Sequence, residues 1–219
     1  MQELAGRTID HSPAFAFRAG CACLLLPACL HTIAAHAQIA ANVTLATSDV
    51  YRGESTSGDD GAASLEISYD HPSGFFAGAS VTMAGGQHDP HFNGSIQYIG
   101  YTVQRGETSF ELGVIHRDYR DRSMFDVAYS AHYSEGFIGV SRRNLRLRLY
   151  VSSDYLRDSR TTYYGEVNAR LIKSGKWSVN GHLGISLIPP DPGATGMRAR
   201  YDWSVQASRP LGRLRVRTC

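Results

Sequence analysis

Lysine is nearly missing from this chain: Lys173 and Lys176 are the only two in 219 residues. Lysine is a common guard of exposed sheet edges, so its scarcity fits poorly with an ordinary water-facing sheet. Cysteine is scarce as well. Cys21, Cys23 and Cys29 crowd near the start and leave Cys219 alone in the remainder, which excludes an internal disulfide, a thiolate metal site and a Cys21-x-Cys23 redox motif in a processed chain. No apolar run reaches the roughly 18 residues with which a helix crosses a bilayer. A net charge of only +2 lacks the basic stripe of a nucleic-acid binder. There is no Walker loop, no His-Glu-x-x-His and no dinucleotide fingerprint.

The start of the chain reads as a secretory signal over 1–37. Arg18 precedes an apolar core that runs through Cys21, Leu24, Leu25, Leu26 and Cys29 to Ile33, and Ala35-His36-Ala37 supplies a small-x-small site for cleavage before Gln38. Leu26-Pro27-Ala28-Cys29 loosely resembles a lipoprotein site, but its proline favours ordinary cleavage. The 182 residues that remain carry 20 Lys+Arg and 18 Asp+Glu and are expected to form a single domain, 38–219.

Within that domain apolar and polar residues alternate at period two, the mark of strands with two chemically different faces. Leu65, Ile67 and Tyr69 alternate with Glu66 and Ser68; Phe110, Leu112 and Val114 with Glu111 and Gly113; Leu145, Leu147, Leu149 and Val151 with Arg146, Arg148 and Tyr150; Tyr201, Trp203 and Val205 with Asp202 and Ser204. Around Ile96–Val103 the phase slips, and Val127–Val140 reads as a strand plus a loop. Tight polar turns, such as His71-Pro72-Ser73-Gly74 and Lys173-Ser174-Gly175-Lys176, alternate with longer links such as 53–61 and 189–197. Short turns on one side and long loops on the other describe an up-and-down meander.

Most segments run about ten residues, the length that crosses a bilayer at a 45° tilt. Tyr51, Tyr69, Phe75, Trp177, Tyr201 and Trp203 cluster at strand ends, as interfacial girdles require. The expected fold is therefore all-β, an antiparallel up-and-down transmembrane β-barrel of about 10–12 strands. Its apolar side chains would face lipid and its polar ones the lumen. The alternative is a secreted soluble β-barrel carrier with the faces reversed.

The stretch Ala41-Asn42-Val43-Thr44-Leu45-Ala46-Thr47-Ser48-Asp49-Val50-Tyr51-Arg52-Gly53 resembles the opening of the proteobacterial Gcw_chp-type family of conserved hypothetical exported proteins. There an N-V-x-L-T-S-D-Y-x-x-R-G strand follows the signal, then a Ser/Gly/Asp loop, which 55–61 matches here. Ser68–Gly78, Ser153-Asp154-Tyr155, Tyr164-Gly165-Glu166 and Gly181-His182-Leu183-Gly184 resemble later segments. The resemblance implies an outer-membrane barrel of unknown activity, exported through the Sec pathway, and brings no catalytic residues. Two departures stand out. The spacing between Asp49 and Arg52 is one residue shorter, and the chain stops at Arg217-Thr218-Cys219 instead of on an aromatic residue. Eleven candidate strands against the even number of bacterial barrels predict a twelfth strand missing from the end.

Charges on the polar face are the candidate solute-binding residues: Glu66, Glu111 and Glu166 with Arg146, Arg148, Arg170, Arg213 and Arg215, joined by Arg117 and Arg217. Charge rings select permeant ions, and an arginine excess favours anionic solutes. Alternatively these charges pair across a narrow barrel and plug it. His182 and Glu166 on neighbouring strands could form the acid–base pair of an outer-membrane hydrolase. His88-Asp89-Pro90-His91 offers two imidazoles where structural metal sites use four ligands and reads as a solvated loop, and Asp118, Asp121 and Asp126 alternate with Arg117, Arg120 and Arg122 in a self-neutralising one. The expected function is a small porin-like channel or a structural barrel, without cofactor or metal, with outer-membrane lipids and small solutes as partners.

Overall fold

The computed structural model describes residues 23–28, 38–58, 60–86, 89–120, 131–155, 160–190, 195–211 and 214–218. Among them every regular element is a strand. In chain order these are β1 (Cys23–Ala28), β2 (Gln38–Ala46), β3 (Val50–Tyr51), β4 (Glu54–Ser55), β5 (Gly61–Asp70), β6 (Phe75–Gly85) and β7 (His91–Arg105). They continue with β8 (Thr108–Tyr119), β9 (His132–Arg142), β10 (Leu145–Ser152), β11 (Thr162–Ser174), β12 (Trp177–Ile188), β13 (Arg198–Leu211) and β14 (Leu214–Thr218).

Ten strands, β2 and β5 to β13, form one antiparallel sheet in which each pairs with its neighbour in sequence. β2 and β13 are the two margins of this meander and do not pair with each other. β14 adds to β13 through Leu211↔Leu214. β1 lies antiparallel to β14 and to β2, with Leu24 opposite both Val216 and Leu45. β1 falls within the segment that the sequence reading assigns to the leader, and the ten-stranded meander does not close by itself.

The faces are inverted relative to a water-soluble protein. Leu65, Ile67, Leu112, Val114, Ile138, Leu147, Leu149, Leu183 and Trp203 lie exposed on one face, Leu149 at 61% and Trp203 at 75%. The other face buries Ser68, Ser80, Thr82, Arg117, Glu135, Arg148, His182, Ser186 and Asp202, with Glu135 only 1% exposed. Because alternate side chains point to opposite faces, one register assigns all of these residues at once. The sheet curls with its polar face inward, so that side chains from β7, β9, β10, β11 and β13 meet a common inserted segment.

The blurred alternation has a structural cause. In β7, Ile96 and Tyr98 are buried inward while Ile99, Tyr101 and Val103 lie outward, so both faces carry large apolar groups. The register also shifts opposite Thr82 and Met83. In β9, Tyr133 and Phe137 are buried inside while Ile138 is exposed outside. An inner cluster of Phe76, Ile96, Tyr98, Ile115, Phe137, Tyr150 and Tyr164 follows from this.

The turns after β5, β7, β9 and β11 are short and share one end of the sheet, where Tyr69, Phe75 and Trp177 lie on the outer face; Gly106 and Gly175 take positive φ there. The longer links after β2, β6, β8, β10 and β12 join strand ends at the opposite end of the sheet, on the side of Tyr201. The link after β2 contains β3 and β4, a hairpin pairing Val50↔Ser55 and Tyr51↔Glu54.

Candidate functional site

That hairpin is held in shape by its own small polar residues. The Thr56 amide donates to the Asp49 carbonyl at 2.7 Å, the Asp49 amide to Ser57 Oγ at 2.8 Å, and Thr56 Oγ1 to Asp49 Oδ2 at 2.6 Å. Such bonds offer the backbone an alternative to the sheet ladder, which ends β2 and reverses the chain. Arg52 and Gly53 turn the hairpin with φ of 49° and 80°. A Cβ on Gly53 would stand 2.9 Å from Asp202 Cβ, so glycine is required both for the conformation and for the approach to β13.

The turn carries Tyr51 and Arg52 into the interior. Arg52 Nη2 donates to Glu135 Oε1 at 2.7 Å, and the Tyr51 hydroxyl donates to Glu135 Oε2 at 3.1 Å. The Arg52 guanidinium carbon lies 4.0 Å from the Tyr164 ring centre, 4.8 Å from Tyr51, 5.0 Å from Tyr155 and 5.6 Å from Tyr150. All four distances are within reach of cation–π attraction. Arg117 Nε lies 3.5 Å from Glu135 Oε2, and the Arg117 guanidinium carbon 4.4 Å from the Tyr51 ring centre. On its other flanks the hairpin receives Asn93 Nδ2 at Asp49 Oδ2, 3.1 Å, and pairs Glu54 with Arg200.

Burial drives the ionisation of these groups. It raises the Asp49 carboxyl above its usual range, opposed by the bonds from Thr56 and Asn93 and by the Arg117 charge. It also raises Tyr51, keeping the phenol protonated. For Arg52, burial by itself disfavours the cation, but Glu135 and the surrounding tyrosines outweigh it and hold the guanidinium charged. Between the hairpin and β13 a cavity of about 60 Å³ remains, lined by Arg52, Tyr155, Ser186, Arg200 and Asp202, room for a few waters at most.

A family model described as a bacterial protein of unknown function, Gcw_chp, matches residues 31–214. The chain belongs to the Gcw_chp family. No curated protein and no solved structure matches it. Of the stretch whose sequence resembles the Gcw_chp opening, 41–46 lies in β2 and 50–53 in the inserted hairpin. Tyr51, expected on an outer girdle, therefore sits inside. Arg52 and Glu135 escaped the sequence reading because a Tyr-Arg-Gly turn has no periodicity to say where it points, and Glu135 fell in the segment of unclear phase.

Five other candidate residues of this Gcw_chp chain, Glu66, Glu111, Arg146, Arg148 and Glu166, form a second layer, nearer the short turns. Arg148 Nε and Nη2 donate to Glu111 Oε1 and Oε2 at 2.7 and 2.9 Å, a two-pronged pair. The pair reaches across Gly139 of the intervening β9, where a Cβ would stand 2.5 Å from Glu111 Oε1. Tyr150 donates to Glu166 at 3.2 Å, Tyr98 to Glu66 at 3.2 Å, and Arg146 Nε to Ser141 at 3.2 Å. Arg170 lies exposed at the short-turn end, its amide bonded to the Asn144 carbonyl, and does not join this layer. Arg215 is in β14 opposite Pro210. Arg213, His88, Asp121, Arg122 and Asp126 lie outside the described residues.

His182 meets a different acid from the one expected. Its Nε2 is 2.9 Å from Asp202 Oδ1 and its Nδ1 is 2.9 Å from Asn168 Oδ1, while the Tyr164 hydroxyl donates to Asp202 Oδ2 at 3.1 Å. With both ring nitrogens engaged, the imidazole is held as a cross-strand brace. Asp118 meets His132 and, at 3.7 Å, His116.

Proposed function

We propose that this protein is an outer-membrane β-barrel, exported through the Sec pathway, whose lumen is corked from within by the 47–60 hairpin. Small solutes would pass, as through a narrow porin-like channel, only when that hairpin withdraws. The observation that carries the reading is the inversion of faces: contiguous Leu, Ile, Val and aromatic side chains outside, and Ser, Thr, Glu, Arg, His and Asp buried inside. Exposing so much apolar surface to water is unfavourable at about 25 cal/mol per Å², whereas hydrocarbon accepts it without cost. Lipid in turn demands closure, because an open sheet margin in hydrocarbon leaves backbone N–H and C=O groups without partners. A soluble carrier would turn the same faces the other way.

The paired interior charges support a closed resting state over a standing pore. A barrel of ten to twelve strands has a lumen between the side-chain-filled eight-stranded case and the open sixteen-stranded one, and one inserted hairpin goes far to fill it. Cell fractionation with heat-modifiable gel mobility tests the reading. The expected result is a protein in the outer-membrane fraction whose boiled and unboiled forms migrate differently; a freely soluble protein of constant mobility would overturn it. In planar bilayers the intact protein should show rare openings, and a chain lacking residues 50–55 should conduct steadily.

A further inference from the structure

The barrel wall contributes to the hairpin's seat an array that has the chemistry of a receptor for an organic cation. Tyr150 and Tyr164 of the strands, with Tyr155 of the link after β10, surround the Arg52 guanidinium carbon at 4.0–5.6 Å, and Glu135 Oε1 accepts a bond from Arg52 Nη2 at 2.7 Å. Aromatic faces plus one carboxylate recognise desolvated cations, and a planar guanidinium suits such a site best. Among the described residues the Arg52 Nε makes no hydrogen bond, so the rings meet this part of the charge without a polar partner.

The charges are also divided between wall and hairpin in a telling way. The wall supplies Arg117 and Glu135, and the hairpin supplies Asp49 and Arg52, which face them in the opposite sense. With Asp49 ionised, these four groups place one charge of each sign on each half, so that withdrawing Asp49 and Arg52 leaves Arg117 and Glu135 to face each other. The turn that carries Arg52 is flanked by Ser, Thr and Gly residues from Thr47 to Gly61, suited to movement as a unit.

We infer that Glu135, Tyr150, Tyr155 and Tyr164 form a binding site for a guanidinium-bearing solute, filled in the resting molecule by the chain's own Arg52 as a tethered occupant. A tether gives Arg52 an effective concentration in the millimolar range, so a free solute binds by displacing it. Solute capture and withdrawal of the cork are then one event. The inference goes beyond the membrane reading. Its test reads binding, not conduction or location, so either can fail while the other stands.

The experiment uses the full chain carrying Arg52→Ala, purified in detergent, and follows its thermal unfolding by circular dichroism. Methylguanidinium is added in the low millimolar range, with N-methylurea, the same shape without charge, as the control at equal ionic strength. Methylguanidinium should raise the transition of Arg52→Ala and leave the unaltered protein unmoved. Adding Glu135→Gln should weaken the response about 10- to 100-fold, as expected for loss of a charge-assisted bond. Should Arg52→Ala not fold alone, the refolding yield is read instead, and methylguanidinium but not methylurea should restore it. A response of Arg52→Ala no larger than that of the unaltered protein, equal responses to both compounds, or no recovery of yield would overturn the site.

Discussion

The two ends of the interior use the same chemistry for different ends. Near the short turns, Glu111 and Arg148 pair within the wall itself, from β8 and β10 across Gly139 of β9. Near the long loops, Glu135 takes its partner Arg52 from a hairpin that is not part of the sheet. The first pair cannot separate without unzipping strands. The second can separate by moving one loop. Distance and burial are alike, with Arg148 at 3% and Glu135 at 1% exposure, so connectivity distinguishes a brace from a latch.

Unfolding measurements in lipid vesicles or detergent would expose that difference. Glu111→Ala removes the carboxylate that takes two Arg148 nitrogens, and breaking a buried pair costs about 3–5 kcal/mol. The double change Glu111→Gln with Arg148→Met should recover most of this. Arg52→Met should cost clearly less than Glu111→Ala, because local opening of the hairpin sets a ceiling on the loss and Arg117 already stands beside Glu135. Equal losses at the two sites would erase the distinction between brace and latch.

On the outer face, Leu149→Arg should cost about 2–4 kcal/mol of folding into a bilayer, the penalty for a cation at mid-membrane, while Leu149→Ser costs far less. In a soluble protein the same change at an exposed leucine would be almost silent. The smallest effect belongs to Glu107→Gln. Its bond from Arg143 Nε is 2.9 Å, but both side chains are more than half exposed, and such pairs contribute less than about 1 kcal/mol. A larger loss there would mean that the short turns are shielded by something more than water.

Period-two alternation made the strands legible wherever one face is consistently apolar, as along Leu145–Val151, and it placed Glu66, Glu111, Glu166, Arg146 and Arg148 on the inner face. It failed where large apolar groups occupy both faces, at Ile96–Val103 and Tyr133–Ile138, because alternation reports contrast between faces and these strands have little. The inserted hairpin was invisible for another reason. Nothing in Ser48–Ser55 records whether a polar turn points to solvent or back into the sheet; that depends on Glu135 and Tyr155, more than 80 residues away. His182 was marked correctly as a polar inner residue, but pairing it with Glu166 overlooked β13 on its other side, which brings Asp202. Arg170 shares the inner register and yet lies exposed, since β11 runs past the end of β10 at Asn144.

The account stands on which face of the sheet meets hydrocarbon, and β10 puts that question to one strand. Nitroxide labels placed singly from Leu145 to Ser152 in bilayer-reconstituted protein can be compared for collision with oxygen and with a water-soluble nickel complex. Oxygen accessibility should peak at 145, 147, 149 and 151 and fall at 146, 148, 150 and 152, with the two extremes two residues apart. Peaks at the even positions, or no alternation in lipid, would contradict it.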